Sequence, residues 1–313
     1  IGLMKLATYH RMLGDNVVFY KGDLNDFILK SLACDLVDKL TDIDNSVLWN
    51  KHLNKITQFI KTGKKEILDD LLELSKYELL VTSWFIHFKD FYRKKEFLKY
   101  PKWDRVCIST LFTFHWKITI ETIEFAKKIV KNLDELKIGG VLATVLSEEV
   151  EKTTGIKPHK GLLDKAGILD DNEIVIDDLN LDYSILDEIE YIYPENNAYY
   201  GYMTRGCIRK CSFCAVPKLE PKFQDFVPLK KQIEAASKKY GKKRNLLLLD
   251  NNVLASNCFP DIIKEIKASG FSKKSKFIEP NQLDLTIKNL KSGYNDRGFV
   301  NKSYCLLHEL LNR

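Results

Sequence analysis

Along the first third of the chain, hydrophobic positions recur mostly at helical spacing. Leu3, Leu6, Tyr9 and Leu13 fall on one stripe of a helix over residues 1–14, with Gly14 as its stop. Residues 16–20, Asn-Val-Val-Phe-Tyr, are a continuous apolar run and predict a buried strand. Residues 23–40 and 49–74 return to helical periodicity, with breaks near 42–46 and at Gly63. Residues 79–84 suggest a short strand, and 106–110 a buried strand of the parallel type. A helix over 117–132 runs through Ile120, Ile123, Ala126 and Val130, followed by a strand and glycine turn over 137–143. Ser147 is placed as the cap of the next helix. This alternation argues α/β architecture: a Rossmann-like, doubly wound unit over residues 1–160 with a helical insert at 23–100.

The pattern fades over residues 161–197. Asp170, Asp171, Asp177, Asp178, Asp182 and Asp187 fall in it without period, and they lack the spacing of a calcium loop. The reading is a solvated acidic linker. Alternation resumes at residue 198: a strand over 199–204, a helix over 229–240, a strand over 245–250 and a helix over 261–268 stopped by Gly270. A third strand is expected at 276–279, and a weak helix at 286–290. The chain opens on a helix with no strand before it, and its first residue is not Met. At roughly 30 residues per βα unit, the stretch from 198 onward holds roughly three or four units. The chain therefore reads as clipped at both ends.

Composition changes this picture little, and charge changes it locally. Of 313 residues, 45% are hydrophobic and 29% charged, as in ordinary globular proteins. No long apolar run indicates a membrane span, and no basic-then-apolar leader opens the chain. The net charge of +6 is matched by one tract, residues 230–244, with seven Lys and Arg against Glu234 alone. A solvated helix face is the simple account. A nucleic-acid footprint would want interleaved aromatics, and only Tyr240 supplies one.

Chemistry concentrates in one stretch, Gly201-Tyr-Met-Thr-Arg-Gly-Cys-Ile-Arg-Lys-Cys-Ser-Phe-Cys-Ala-Val-Pro217. Cys207, Cys211 and Cys214 are three of the seven cysteines, spaced Cys-x3-Cys-x2-Cys, with Phe213 before the third. A hydrophobic core has no need to cluster thiols on one loop, so a metal or a cluster is indicated. Cysteines this close together, in an odd total, are no disulfide framework and suit a reducing cytoplasm. Three thiolates also leave one position of a four-iron cluster open.

This spacing, with its aromatic, resembles the radical S-adenosylmethionine superfamily. The resemblance implies a [4Fe-4S] cluster on Cys207, Cys211 and Cys214, with S-adenosylmethionine chelating the open iron. One-electron cleavage then gives methionine and a 5′-deoxyadenosyl radical. It further implies a partial (β/α) barrel over 198–313, a flavodoxin- or ferredoxin-like electron donor, and Phe213 packed near the adenine. Asp250, Asn251 and Asn252 end the second strand of that unit, where the family carries a turn touching the methionine amino group. Gln282 and Asp284 are candidates for substrate or ribose contact.

Upstream, Ser109-Thr-Leu111 and Gly139-Gly140 resemble the cobalamin-binding domain that precedes many such enzymes. The resemblance makes Ser109, Leu111, Gly139 and Gly140 cofactor-contact candidates. The Asp-x-His-x-x-Gly of histidine-ligating cobalamin domains is absent, so no axial histidine is expected. Two other readings stay open. One is a zinc site closed by Cys258 or a histidine in a non-catalytic nucleic-acid-binding protein. The other is a degenerate paralogue kept for interaction.

Overall fold

The computed structural model describes residues 1–193 and 196–271, and the backbone of 304–309. The elements in order are α1 (Gly2–Met12), β1 (Asn16–Lys21), α2 (Leu24–Ile43), α3 (Leu53–Thr62), α4 (Lys65–Leu72), α5 (Glu78–Arg93), β2 (Arg105–Thr110) and α6 (Trp116–Ile129). They continue as β3 (Leu136–Gly140), α7 (Val141–Val145), α8 (Ser147–Thr154), β4 (Ala198–Gly201), α9 (Val216–Leu219), α10 (Leu229–Tyr240), β5 (Asn245–Leu248), α11 (Phe259–Ala268) and β6 (Tyr304–Glu309). The protein is of mixed α/β class, with two parallel sheets among the described residues.

Local chemistry accounts for most boundaries. Asp23 caps α2 by accepting the Asn25 amide at 2.7 Å. Gly63, at φ +68°, ends α3 in the left-handed conformation that glycine tolerates. Along α1 the buried residues are Leu3, Met4, Ala7, Tyr9 and His10, while Leu13 is exposed. The stripe is thus turned from the expected one. Residues 79–84 are helical, not a strand. Val81, Phe85 and Phe88 recur at helical spacing and are buried, whereas Leu79 and Leu80 face outward. Ser147 is the first residue of α8 rather than its cap, and its buried hydroxyl has no hydrogen-bond partner among the described residues.

The larger sheet runs β1-β6-β2-β3, all parallel. Sequence order would place β2 beside β1, but β6 lies between them. Both faces of this sheet are covered, as parallel sheets require. Val106, Ile108 and Ile138 face a core shared with α2, α3, α5 and α6, so the helical insert packs as part of this layer. Phe19 and Cys107 face a second core made with α1, the 161–197 stretch, β4 and α10. The smaller sheet pairs β4 and β5 in parallel, over a minor core of Met203, Leu229 and Ile262. The strand and helix expected at 276–290, with Gln282 and Asp284, lie outside the described residues.

The acidic stretch is not a solvated segment. Ile176, Tyr183, Ile185 and Ile189 are buried, and three of its aspartates, Asp170, Asp177 and Asp182, are matched to specific partners. Arg105 of β2 holds Asp170 in a fork at 2.7 and 2.6 Å, and the Tyr9 hydroxyl donates to the same carboxylate at 2.6 Å. Asp182 has no exposed surface. It accepts from Arg11 of α1 at 2.6 Å and from the Tyr240 hydroxyl of α10 at 2.8 Å. The stretch therefore straps the two sheets together. No helix among the described residues is long and apolar enough to cross a membrane.

The Arg105 guanidinium holds the Asp170 carboxyl down at about 2, against a usual carboxylate value near 3.8. A depressed folded pKa contributes stability that is complete above the unfolded value and is lost as pH falls through the folded one. Asp170→Asn should therefore cost about 1 kcal/mol at pH 7, reduced from the full linkage value because the pair is partly solvated. The difference from the parent chain should shrink between about pH 4 and pH 2. Urea midpoints of both proteins across that range provide the check.

Candidate functional site

The cysteine loop leaves the C-terminal end of β4, where α/β sheets present ligand-binding groups. Its base is held by hydrogen bonds to residues that follow β5. The Asp250 carboxylate accepts the Met203 amide at 3.0 Å and the Thr204 hydroxyl at 2.6 Å, and also takes the Thr204 amide. Asn251 donates to Glu220 at 3.0 Å. Asn252 donates to the Cys207 sulfur at 3.3 Å. All three residues at the end of β5 thus reach the loop or its clamp. The carboxylate of Asp250, expected at a ligand amino group, is turned to the loop backbone.

Glu220 was not legible as a site residue. It accepts both Nε and Nη2 of Arg205, at 3.0 and 2.7 Å, and the Gly206 amide at 2.7 Å. Arg205 also lies over the Tyr202 ring, 4.3 Å from its centroid. Gly206 sits at φ +68°, and a Cβ there would lie 2.4 Å from the Lys222 carbonyl oxygen. Only glycine meets both demands.

Beyond Gly206 the loop opens to solvent. Cys207 and Cys214 are half-buried and Cys211 is exposed. The Cys214 amide bonds to the Cys211 carbonyl at 3.0 Å, closing a tight turn between those two residues. The Arg209 amide at 3.4 Å, and then the Asn252 amide, hold the Cys207 thiol below its ordinary pKa. Phe213 is 91% exposed and shields nothing in this conformation. Among the described residues, no three His, Cys, Asp or Glu side chains are gathered for metal binding. The donor set nonetheless suits a thiolate-held cluster, because two N–H groups already point at the Cys207 sulfur. The Cys258 thiol, a candidate fourth zinc ligand, lies 3.8 Å from Asp225.

The second set of candidates comes together as neighbours in the larger sheet. Ser109 pairs with Gly139, and Thr110 with Gly140, across β2 and β3. Gly140, at φ +99°, would place a Cβ 2.1 Å from the Thr110 carbonyl oxygen, so its bare backbone serves strand packing. Among the described residues no atom lies within 4 Å of a Cβ built on Gly139. Thr110, between Ser109 and Leu111, donates to the Gly139 carbonyl at 2.8 Å and accepts the Ala143 amide at 3.0 Å. Ser109 and Leu111 line an apolar cavity of about 310 Å³ with Phe19, Tyr200, Leu247 and Leu249. The cavity is at the small end of ligand pockets, and no histidine among the described residues lines it.

The basic tract lies on α10 and the turn after it. Lys230, Lys231, Lys238, Lys239, Lys242 and Arg244 are exposed. Lys243 instead rests over the Tyr183 ring, 4.9 Å from its centroid. Tyr240 directs its hydroxyl inward to Asp182.

Compared with protein-family models, with curated proteins and with solved structures, the chain matches none. The residues of the site therefore carry the functional argument themselves.

Gly206→Ala should destabilise the chain by about 1–3 kcal/mol, since the left-handed backbone and the carbonyl contact both oppose a side chain there. Gly139→Ala, with open space around its Cβ, should cost less than half as much. Chemical denaturation of the two variants side by side tests the contrast.

Proposed function

We propose that this is a radical S-adenosylmethionine protein whose cysteine loop holds a [4Fe-4S] cluster through Cys207, Cys211 and Cys214. One observation supports this above the rest: the loop base is clamped by Asp250, Asn251, Asn252 and Glu220, while its thiol-bearing tip faces outward. A structural turn has no use for such support. A loop that must present three thiols in fixed relation does. When bound, such a cluster supplies one-electron reduction of the sulfonium of S-adenosylmethionine, giving methionine and a 5′-deoxyadenosyl radical.

The chain's own residues have definable tasks in this reading. The Arg209 and Asn252 amides donate to the Cys207 sulfur and favour its thiolate, the form that ligates iron. Asp250 and Glu220 position the segment ahead of Cys207. The β4–β5 sheet with α10 and α11 is then the start of a (β/α) barrel, and β1–β3 belong to a Rossmann-like unit. A flavodoxin- or ferredoxin-like donor would supply the electron. Cobalamin has less support, because the space beside Gly140 is filled by Thr110.

Anaerobic reconstitution with iron and sulfide, followed by reduction and S-adenosylmethionine, tests the proposal. The expected result is about four irons per chain and formation of 5′-deoxyadenosine. Cys211→Ala should abolish both while leaving the fold intact, since that side chain is exposed. Uptake of zinc with no iron would overturn the reading.

A further inference from the structure

The clamp on the cysteine loop does not end within the smaller sheet. Arg205, two residues ahead of Cys207, uses Nε and Nη2 on Glu220 and directs Nη1 to Asp177 Oδ2 at 3.2 Å. The other oxygen of Asp177, Oδ1, takes Lys5 Nζ of α1 at 2.7 Å. Lys5 Nζ also donates to the Asp177 backbone carbonyl. The four side chains Lys5, Asp177, Arg205 and Glu220 expose 12, 21, 13 and 10% of their surface. They form an alternating cation–anion row, mostly shielded from water, in which each inner member touches both neighbours. Such shielding limits screening by salt and makes the loss of one member felt by the next.

We infer that Asp177 is a positioning residue that ties the cysteine loop to α1, so that the first sheet's helix helps set the placement of Cys207. Arg205 is the hinge of this tie. Its planar fork grips Glu220 while its remaining nitrogen reaches Asp177, a geometry that lysine cannot reproduce. Glu220 in turn fixes the Gly206 amide at 2.7 Å, one residue from the thiol. A displacement of α1 is thus transmitted through two carboxylates to the backbone carrying Cys207. The consequence for a cluster rests on the radical S-adenosylmethionine reading; the tie itself does not.

The experiment compares Lys5→Met, Asp177→Asn, Asp177→Glu and the double variant Lys5→Met/Asp177→Asn in the full chain. Amide hydrogen exchange is measured across residues 203–206 of the metal-free protein. Iron content and the electron paramagnetic resonance spectrum follow after reconstitution. Loss of one charge-assisted contact should speed exchange at Gly206 roughly tenfold in Asp177→Asn, with less effect in Lys5→Met. The effects in the double variant should fall short of the sum of the two single ones, because Lys5 reaches the loop through residue 177. Asp177→Glu should restore protection, and the spectrum should shift in Asp177→Asn but not in Asp177→Glu. Exchange in β2 and β3 reports whether the fold survives, and Lys5→Met keeps the test open if Asp177→Asn does not fold. Unchanged exchange at 203–206 in both single variants would overturn the inference, as would additive effects in the double variant. A parent chain that takes up no iron, with exchange altered as described, would remove the cluster reading and leave the tie standing.

Discussion

Asp182 has lost all contact with water, and a carboxylate so placed needs partners for both oxygens. It finds them in Arg11 of α1 and Tyr240 of α10, with Ser184 beside it in the same turn. Those partners belong to different sheets, so the pairing sets how the sheets face each other. Asp177 repeats the arrangement, between Lys5 of α1 and Arg205 of the loop after β4, while Asp170 fastens the same stretch to Arg105 of β2. A buried ion pair contributes more to selecting one arrangement than to net stability, since desolvation offsets much of the attraction. Apolar packing by Tyr183, Ile185 and Ile189 supplies the adhesion, and the carboxylates select the geometry.

This division explains why the strap looked like a linker in the sequence. Its acids have no period because Asp170, Asp177 and Asp182 are each matched to a cation far away along the chain, and no local rule encodes such a partner. The helices were far more legible. The Asp23 cap, the Gly63 stop and the spacing of apolar residues in α10 are local properties, and those elements lie close to where they were expected. Helix α5 was misread because a six-residue window of leucines and aromatics has no decisive period. Its buried stripe emerges only when Phe85 and Phe88 are included. The smaller sheet was placed correctly as far as β4 and β5, while closure into a barrel is not shown by the described strands.

At the candidate site, position was legible and role was not. The cysteine spacing marked the loop, and the strand pattern put Asp250, Asn251 and Asn252 beside it. Whether those side chains face a ligand or the protein depends on a few ångströms of backbone, which spacing cannot supply. They support the loop. Glu220 carried no signal at all. An acid 14 residues beyond the Gly206 amide it holds resembles any surface glutamate until the chain has folded back. Gly139 and Gly140 make the same point in reverse. A paired-glycine motif suggested room for a ligand, and one of the two is committed to the Thr110 backbone.

The place of β6 bears on how the molecule comes to be folded. This strand runs from Tyr304 to Glu309 yet lies between β1 and β2, which are separated from it by most of the chain. Until it arrives, neither β1 nor the facing edge of β2 has its neighbour, and each presents open backbone groups. During synthesis the helical layer over the sheet can collapse early, because its contacts are close in sequence. The sheet beneath must wait for residues 304–309 to emerge. A sheet completed by a strand as distant as β6 pairs at long range, which slows folding and lengthens the exposure of sticky edges. For this protein the hazardous interval lies before β6 is made, when the central slot of the sheet is empty.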